Sequence, residues 1–323
     1  MLRYVTGRLL GLIPVVLGAA GVTFALLWLL PGDPAIALLG QEVSAAELVR
    51  FRHLLGLDRP VAVQFAFYLW RIVQGDFGSS ITLHAPVLSL IRSTLPATLE
   101  LAIVSLALAI GVGIPLGLLA ARLRGSILDT ATMALAQLGV SMPAFWLGVL
   151  LILLFAVKLN WLPSFGRGPA VLATIVAGDG AGLWDAIRHL ILPACTLAFF
   201  NLALLSRLTR WALLDVLEED YVRTARAKGQ YERIVIYRHA LRNALLPVLT
   251  IVGLQFGNAL GGAVITETIF GWPGMGRLVV QAIGQRDFPV VQGAIFTLAM
   301  LFSLANVVVD LSYGLVDPRI RYE

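Results

Sequence analysis

The stretch DYVRTARAKGQYERIVIYRHALRNALLP, residues 220–247, decides how this chain is read. It carries Arg223, Arg226, Lys228, Arg233, Arg238 and Arg242, yet it lies between two of the most apolar segments of the sequence. Leu214, Leu217, Tyr221 and Ala225 recur at helical spacing and predict one apolar face. Ile234, Tyr237, Leu241 and Leu245 predict a second. Gly229 lies between the two stripes, where a residue with positive φ ends the first helix and turns the chain. Glu219 and Arg223 stand four apart and support that helix. Pro247 sits where the second helix enters the next apolar run, at its first turn or at a kink. The pattern predicts a helix–glycine–helix hairpin lying against a membrane, with its cationic faces toward water or lipid headgroups.

The rest of the chain supplies the membrane. Its 323 residues are 59% hydrophobic and 13% charged, with a mean hydropathy of +0.86, and soluble domains are about a quarter charged. Uncharged runs at 9–30, 101–121, 130–157, 243–266 and 288–309 are long enough to cross a hydrocarbon core of about 30 Å as helices. A sixth, 190–206, is shorter, and Arg207 and Arg210 extend it if they snorkel. The third run is interrupted by SMPAF (141–145). It reads as one kinked helix, or as a helix preceded by a short surface segment.

Lysine and arginine set the expected orientation. With the N-terminus inside, cytoplasmic pieces hold 14 of the cations and the two short outer loops hold five, so both termini are expected in the cytoplasm. The net charge of +5 is thereby assigned to topology and lipid, and nucleic acid is not expected as a partner. LPGDPA (30–35) is a poor leader-cleavage site, so the first run reads as a retained span. Residues 31–97 read as a small extracytoplasmic segment of turns and short amphipathic helices. Cys195 has no partner cysteine, and the four histidines lack ligand spacing, so no metal site is expected. No phosphate-binding GxxxxGK[ST] loop is present, which leaves the spans without an energy source of their own. Neither HExxH nor a Ser/His or paired-Asp arrangement occurs on a span, which argues against an intramembrane enzyme. A passive channel is the remaining alternative class.

At this point the residues resemble a family. YVRTARAKG followed by RHALRNALLP looks like the cytoplasmic loop of binding-protein-dependent ABC importer permeases, in the dipeptide/oligopeptide/nickel branch. LPGDP (30–34), GDFGSS (75–80), ETIFGWPGMGRL (267–278) and YGLVDPRIR (313–321) agree with that branch, so the resemblance runs along the whole chain. The general loop begins Glu-Ala-Ala, where this chain has Arg223, Thr224 and Ala225. Gly229 matches the loop glycine, but stands further from Pro247 than in many permeases.

The resemblance implies an all-α membrane protein with six transmembrane helices of the type I importer permease kind. Its expected parts are a first helix (1–30), the extracytoplasmic segment (31–97), a permease core (98–314) with a coupling loop at about 215–246, and a cytoplasmic tail (315–323). The implied location is a bacterial plasma (inner) membrane. The implied function is transport of short peptides, with nickel complexes, glutathione-like molecules or sugars as alternatives in the same branch. Implied partners are a second homologous permease, two ATP-binding subunits that hold ATP and Mg, and an extracytoplasmic solute-binding protein. This chain itself is expected to be no enzyme and to hold no cofactor. Asp220, Tyr221, Arg223, Ala225, Arg226 and Gly229 are implied as the ATPase-coupling residues, with Tyr221, Ala225 and Gly229 as a docking knob and Arg223 and Arg226 at its rim.

The spans offer further candidates. Gly253, Gly257 and Gly261 recur every four residues and predict close helix packing, repeated more weakly at Gly7/Gly11 and Gly113/Gly117. Polar residues within spans avoid lipid, so Gln137, Asn201, Gln255, Asn258, Gln292 and Asn306 either bond between helices or line a passage. Glu100 and Glu267 fall near the outer ends of their spans, and Glu267 reads as an interfacial carboxylate or as a contact for a solute ammonium. Trp272, Pro273 and Gly274 form an aromatic-anchored turn that fits an outer gate or a receptor contact.

Overall fold

The computed structural model describes residues 2–29, 53 and 58–316. LPGDP and the last residues of the tail, 317–323, lie outside them. Among the described residues every regular element is a helix, as a membrane demands of a chain that must satisfy its own backbone polar groups. In chain order the helices are α1 (Leu2–Leu29), α2 (Val61–Val73), α3 (Val87–Arg122) and α4 (Ile127–Ser141). Next comes α5, which is Ala144–Leu151 running on as a π-helical stretch Ile152–Lys158. Then follow α6 (Val171–Ala177), α7 (Gly180–Leu217) and α8 (Asp220–Ala227). We name as α9 the uninterrupted run Glu232–Ile234, π-helical Val235–Ala240 and Leu241–Ile269, followed by α10 (Met275–Gly284) and α11 (Phe288–Val316).

Among the described residues all six apolar runs are helical, the third with a break at Met142–Pro143. Four helices among the described residues are long and apolar enough to cross a bilayer, and the bent pair α4–α5 makes a fifth if it counts as one span. In α1 the apolar helix covers Leu10–Ala25. The third run is a sharper break than a kink, since α4 and α5 meet at 109°. Met142 precedes proline and is forced out of the helical region, to φ −86° and ψ 125°. Pro143, with ψ 133°, is the N-cap residue just before α5, where its missing N–H costs no helical hydrogen bond.

The run 190–206, expected to be short, is the core of α7, a helix of 38 residues. Gly178 ends α6 at φ 66°, and the Asp179 carboxylate caps α7 by accepting from the Gly182 amide. Arg210 does not snorkel as expected. Its guanidinium donates to both carboxylate oxygens of buried Asp129, at 2.6 and 2.9 Å, and ties α4 to α7.

The described residues divide into two compact units, those up to Ala97 with Pro273–Val307, and Thr98–Trp272 with the end of α11 from Val308. In the first, the start of α3 packs Val87 and Ile91 with Met275, Leu278 and Val279 of α10 and Val290, Val291 and Ala294 of α11. Phe65 and Tyr68 of α2 stack on Phe24 of α1. Gln292 donates to the Thr23 carbonyl at 3.1 Å.

In the second unit α7 is the central post. A Cβ at Gly113 would lie 2.9 Å from the Leu202 carbonyl oxygen, and one at Gly117 2.4 Å from that of Ser206. On α4, a Cβ at Gly139 would lie 2.6 Å from Ala203 Cβ. These glycines let α3 and α4 approach the α7 backbone. The closest approach thus uses the Gly113/Gly117 pair. In the stripe expected to dominate, Gly253 and Gly257 are buried but Gly261 is exposed, with open space beside it.

We expect Gly117→Ala to destabilise the folded chain by about 1–3 kcal/mol through overpacking. Gly111→Ala on the same helix, where nothing stands within 4 Å, should be neutral. Thermal unfolding of both variants in detergent checks the contrast.

Candidate functional site

The basic stretch forms a hairpin, but not two helices lying flat. Its second half is the beginning of α9 itself and continues through Pro247 into the apolar span. Its first half, α8, is separate from α7, because the chain breaks at Glu218 and Glu219. The predicted stripe Leu214–Leu217–Tyr221–Ala225 therefore spans two helices. Val222 and Ala225 are buried with Val235 of α9, and Leu217 packs against that cluster. Tyr221 points out of the cluster, and its hydroxyl accepts a 2.7 Å hydrogen bond from Asn243 Nδ2.

Gly229 has φ 75°. Its amide donates to the Arg226 carbonyl at 2.9 Å and the Gln230 amide reaches back to Ala225 at 3.3 Å, a Schellman closure of α8. Arg226 then clasps Glu232 at the start of α9 with bonds of 2.7 and 3.1 Å. Arg226 is therefore engaged within the hairpin rather than free at a rim, and Ala225 supports α8 from behind. Arg223 meets Asp220 at 3.4 Å instead of Glu219. What α8 presents outward is Asp220 and Arg223, whose side chains are 96% and 70% exposed.

The stretch FGWPGMG (270–276) is more deeply set than its composition implied. Trp272 and Glu267 are 1% and 0% exposed, so neither is an interfacial anchor or a surface carboxylate. Thr98 donates to Glu267 at 2.6 Å. Arg167 lies 5.7 Å from the Trp272 ring centre and bonds Glu100, which also accepts from the Val171 amide at 2.7 Å. Gly274 is buried, and Pro273 is exposed. The Arg167–Glu100 and Arg210–Asp129 pairs escaped the sequence reading, since 67 and 81 residues separate their partners and no local spacing signals them.

The polar span residues separate by exposure. Asn201 and Gln255 are each 4% exposed, Gln292 is tied to α1, and Asn306 is half-buried. Gln137 and Asn258 are exposed. Asn258 Nδ2 donates to Gln255 Oε1 at 3.2 Å, across the wall of one helix. Asn258 belongs to an outward stripe of α9 with Asn243, Pro247, Thr250, Leu254, Gly261, Ile265 and Thr268. The outward face of α3 carries Ile103, Ala107, Gly111, Pro115 and Leu119, with no polar side chain. The second face suits lipid. The first, in the middle of a span, suits water or another protein.

A broken span, glycine-packed helices and a clasped basic hairpin running into a span make this a multi-pass helical membrane protein. Residues 113–322 match the family model of the binding-protein-dependent transport system inner membrane component, and residues 1–102 match that of its N-terminal part. The chain belongs to this family, the inner-membrane permease subunits of ABC importers. Over the full length of both chains it is 44% identical to the dipeptide transport system permease protein DppB of Alkalihalophilus pseudofirmus. The figure is 45% for the di/tripeptide transport system permease protein DppB of Pseudomonas aeruginosa and 43% for the dipeptide protein of Escherichia coli K12. The fold is shared with a chain of the MetNI methionine ABC transporter, solved in inward-facing conformations, at a TM-score of 0.55 and 19% identity. That match covers 71% of this chain and 97% of the other.

The family stretch GDFGSS also has a structural role. Asp76 pairs with Arg71 at 2.9 Å and caps the Gly78 amide. Asp287, buried just before α11, accepts from the Ser80 hydroxyl and from the Thr82 hydroxyl and amide at 2.9 and 3.1 Å. Burial pushes the Asp287 carboxyl up, but these bonds and the Ile81 amide outweigh it and hold the group below the ordinary aspartate range. A lowered folded pKa stabilises the latch at and above the ordinary range, and this stabilisation is lost as pH falls through and below it. Asp287→Asn should raise hydrogen exchange in residues 80–83 at neutral pH by about tenfold or more. In the parent protein the same rise should occur only in acid.

Proposed function

We propose that this chain, with a second homologous permease, forms the passage through which an ATP-driven importer carries short peptides handed over by a solute-binding protein. The full-length likeness to dipeptide and di/tripeptide permeases supports the solute class. Two ATP-binding subunits, carrying ATP and Mg, drive it from the cytoplasm. Both termini and the α8–α9 hairpin face the cytoplasm, in keeping with the bias of Lys and Arg, and 31–97 is extracytoplasmic.

The observation that carries this reading is the hairpin's construction. α8 is packed by Val222 and Ala225 and closed at Gly229. Arg226 clasps it to the foot of α9 and reaches the Leu217 carbonyl at the end of α7. A push on α8 is therefore delivered to two spans together, as a lever requires for alternating access. Asp220, Arg223 and the edge of Tyr221 meet the ATP-binding subunit, while Ala225, Arg226 and Gly229 hold the lever's shape. Thr250 and Asn258 on the outward stripe of α9 face the passage, where amide and hydroxyl groups suit a peptide backbone.

Two variants test the lever. Arg223→Glu alters an exposed side chain and should leave folding intact, yet reduce retention of the ATP-binding subunits and peptide uptake by tenfold or more. Gly229→Val strains the turn by about 1–2 kcal/mol and should uncouple ATP hydrolysis from uptake. If co-purification and uptake both survive the two changes, α8 is not the coupling element.

A further inference from the structure

We propose that the first turns of α9 form a binding site for the headgroup of an anionic phospholipid, built from Arg233, Tyr237, Arg238 and Arg242. Arg233, Ile234, Tyr237 and Arg238 line an open groove of about 430 Å³. All four are exposed, as is Arg242. The two acids of the hairpin are engaged elsewhere, Glu232 with Arg226 and Asp220 with Arg223, and His239 bonds Gln230. Arg233, Arg238 and Arg242 have no ion-pair partner among the described residues. The groove is thus a net cationic surface beside two exposed apolar side chains, Ile234 (42% exposed) and Tyr237 (46% exposed).

The backbone gathers these cations. Residues five apart diverge on an α-helix, but Val235–Ala240 is π-helical, and the wider turn brings Arg233 and Arg238 toward one side. Arg242 follows Arg238 by one further turn.

Depth selects lipid over a soluble partner. α9 continues without interruption into the uncharged run 243–266, whose first apolar residue is Ala244. At about 1.5 Å per residue, Arg242 stands at the hydrocarbon boundary and Arg238 within about 10 Å of it. That range is close to the headgroup layer of about 5–8 Å on each side of the hydrocarbon core. Arginines at that level bind phosphate as bidentate donors. By the same rise Arg233 and Ile234, about 15 Å or more out, close the groove from the water side, and Tyr237 stands beside Arg238 at the headgroup level. The exposed pair on α8, of mixed charge, fits a protein surface better than this face does.

The inference borrows from the proposed function only that α9 enters the bilayer near Asn243, and its readout is lipid rather than transport. The intact transporter, reconstituted in nanodiscs of phosphatidylcholine with phosphatidylglycerol, is extracted, and its retained lipids are measured by native mass spectrometry. We expect selective retention of phosphatidylglycerol, weakened about thirty-fold in Arg238→Gln/Arg242→Gln. Retention of phosphatidylcholine should not change. Arg238→Lys/Arg242→Lys should restore part of the retention, which a merely structural role would not require. Unchanged phosphatidylglycerol retention in the glutamine variant overturns the site. Loss of the ATP-binding subunits with lipid retention intact also overturns it, and assigns the face to protein.

Discussion

Close backbone approach to α7 is the constraint on which the permease core depends. Lipid offers no hydrophobic drive for one apolar helix to prefer another, so association rests on shape and on buried polar bonds. Gly113 and Gly117 of α3 and Gly139 of α4 supply the shape. The Asp129–Arg210 pair supplies a polar bond that fixes the register of α4 on α7. Once α7 is held, its end at Leu217 and the foot of α9 are fixed points between which α8 is suspended.

The hairpin is built for stiffness rather than for a flat membrane contact. A short helix such as α8 is marginal alone. Here its C-terminus is closed by Gly229, its inner face is covered by Val235, and its last turn is clasped to Glu232. The clasp is partly exposed, so its worth lies in direction more than in energy. Outward, α8 shows Asp220 and Arg223. A few residues later the same chain exposes Arg233, Arg238 and Arg242, which have no ion-pair partner among the described residues. In the proposed reading one hairpin offers a protein-facing surface and a lipid-facing surface, separated by the glycine turn.

Charge inside the apolar part of the molecule follows one rule. Each buried carboxylate whose bonds are described is met by a donor from a distant segment, Asp129 by Arg210, Glu267 by Thr98 and Asp287 by Ser80 and Thr82, and half-buried Glu100 is met by Arg167. Such groups would be costly unpaired. They pin loops and spans to one another at the places where apolar packing alone would leave register undefined.

The sequence by itself determined the class. Six apolar runs, the arginine-rich insert with its glycine, and family stretches from end to end were legible because hydropathy and turn chemistry are local. Gly229 was placed correctly because only its φ of 75° was at stake. Tertiary structure decided which way side chains face. Glu267 and Trp272, read as interfacial, are buried, and Ala225, read as a contact, faces inward. Gln255 and Asn258, three residues apart on one helix, differ in exposure. The right-angled break at Met142–Pro143 and the long-range pairs of Arg167 and Arg210 were likewise invisible. Helical periodicity gives the relative angle of two side chains but not the absolute rotation of the helix, which is fixed by the neighbours it packs against.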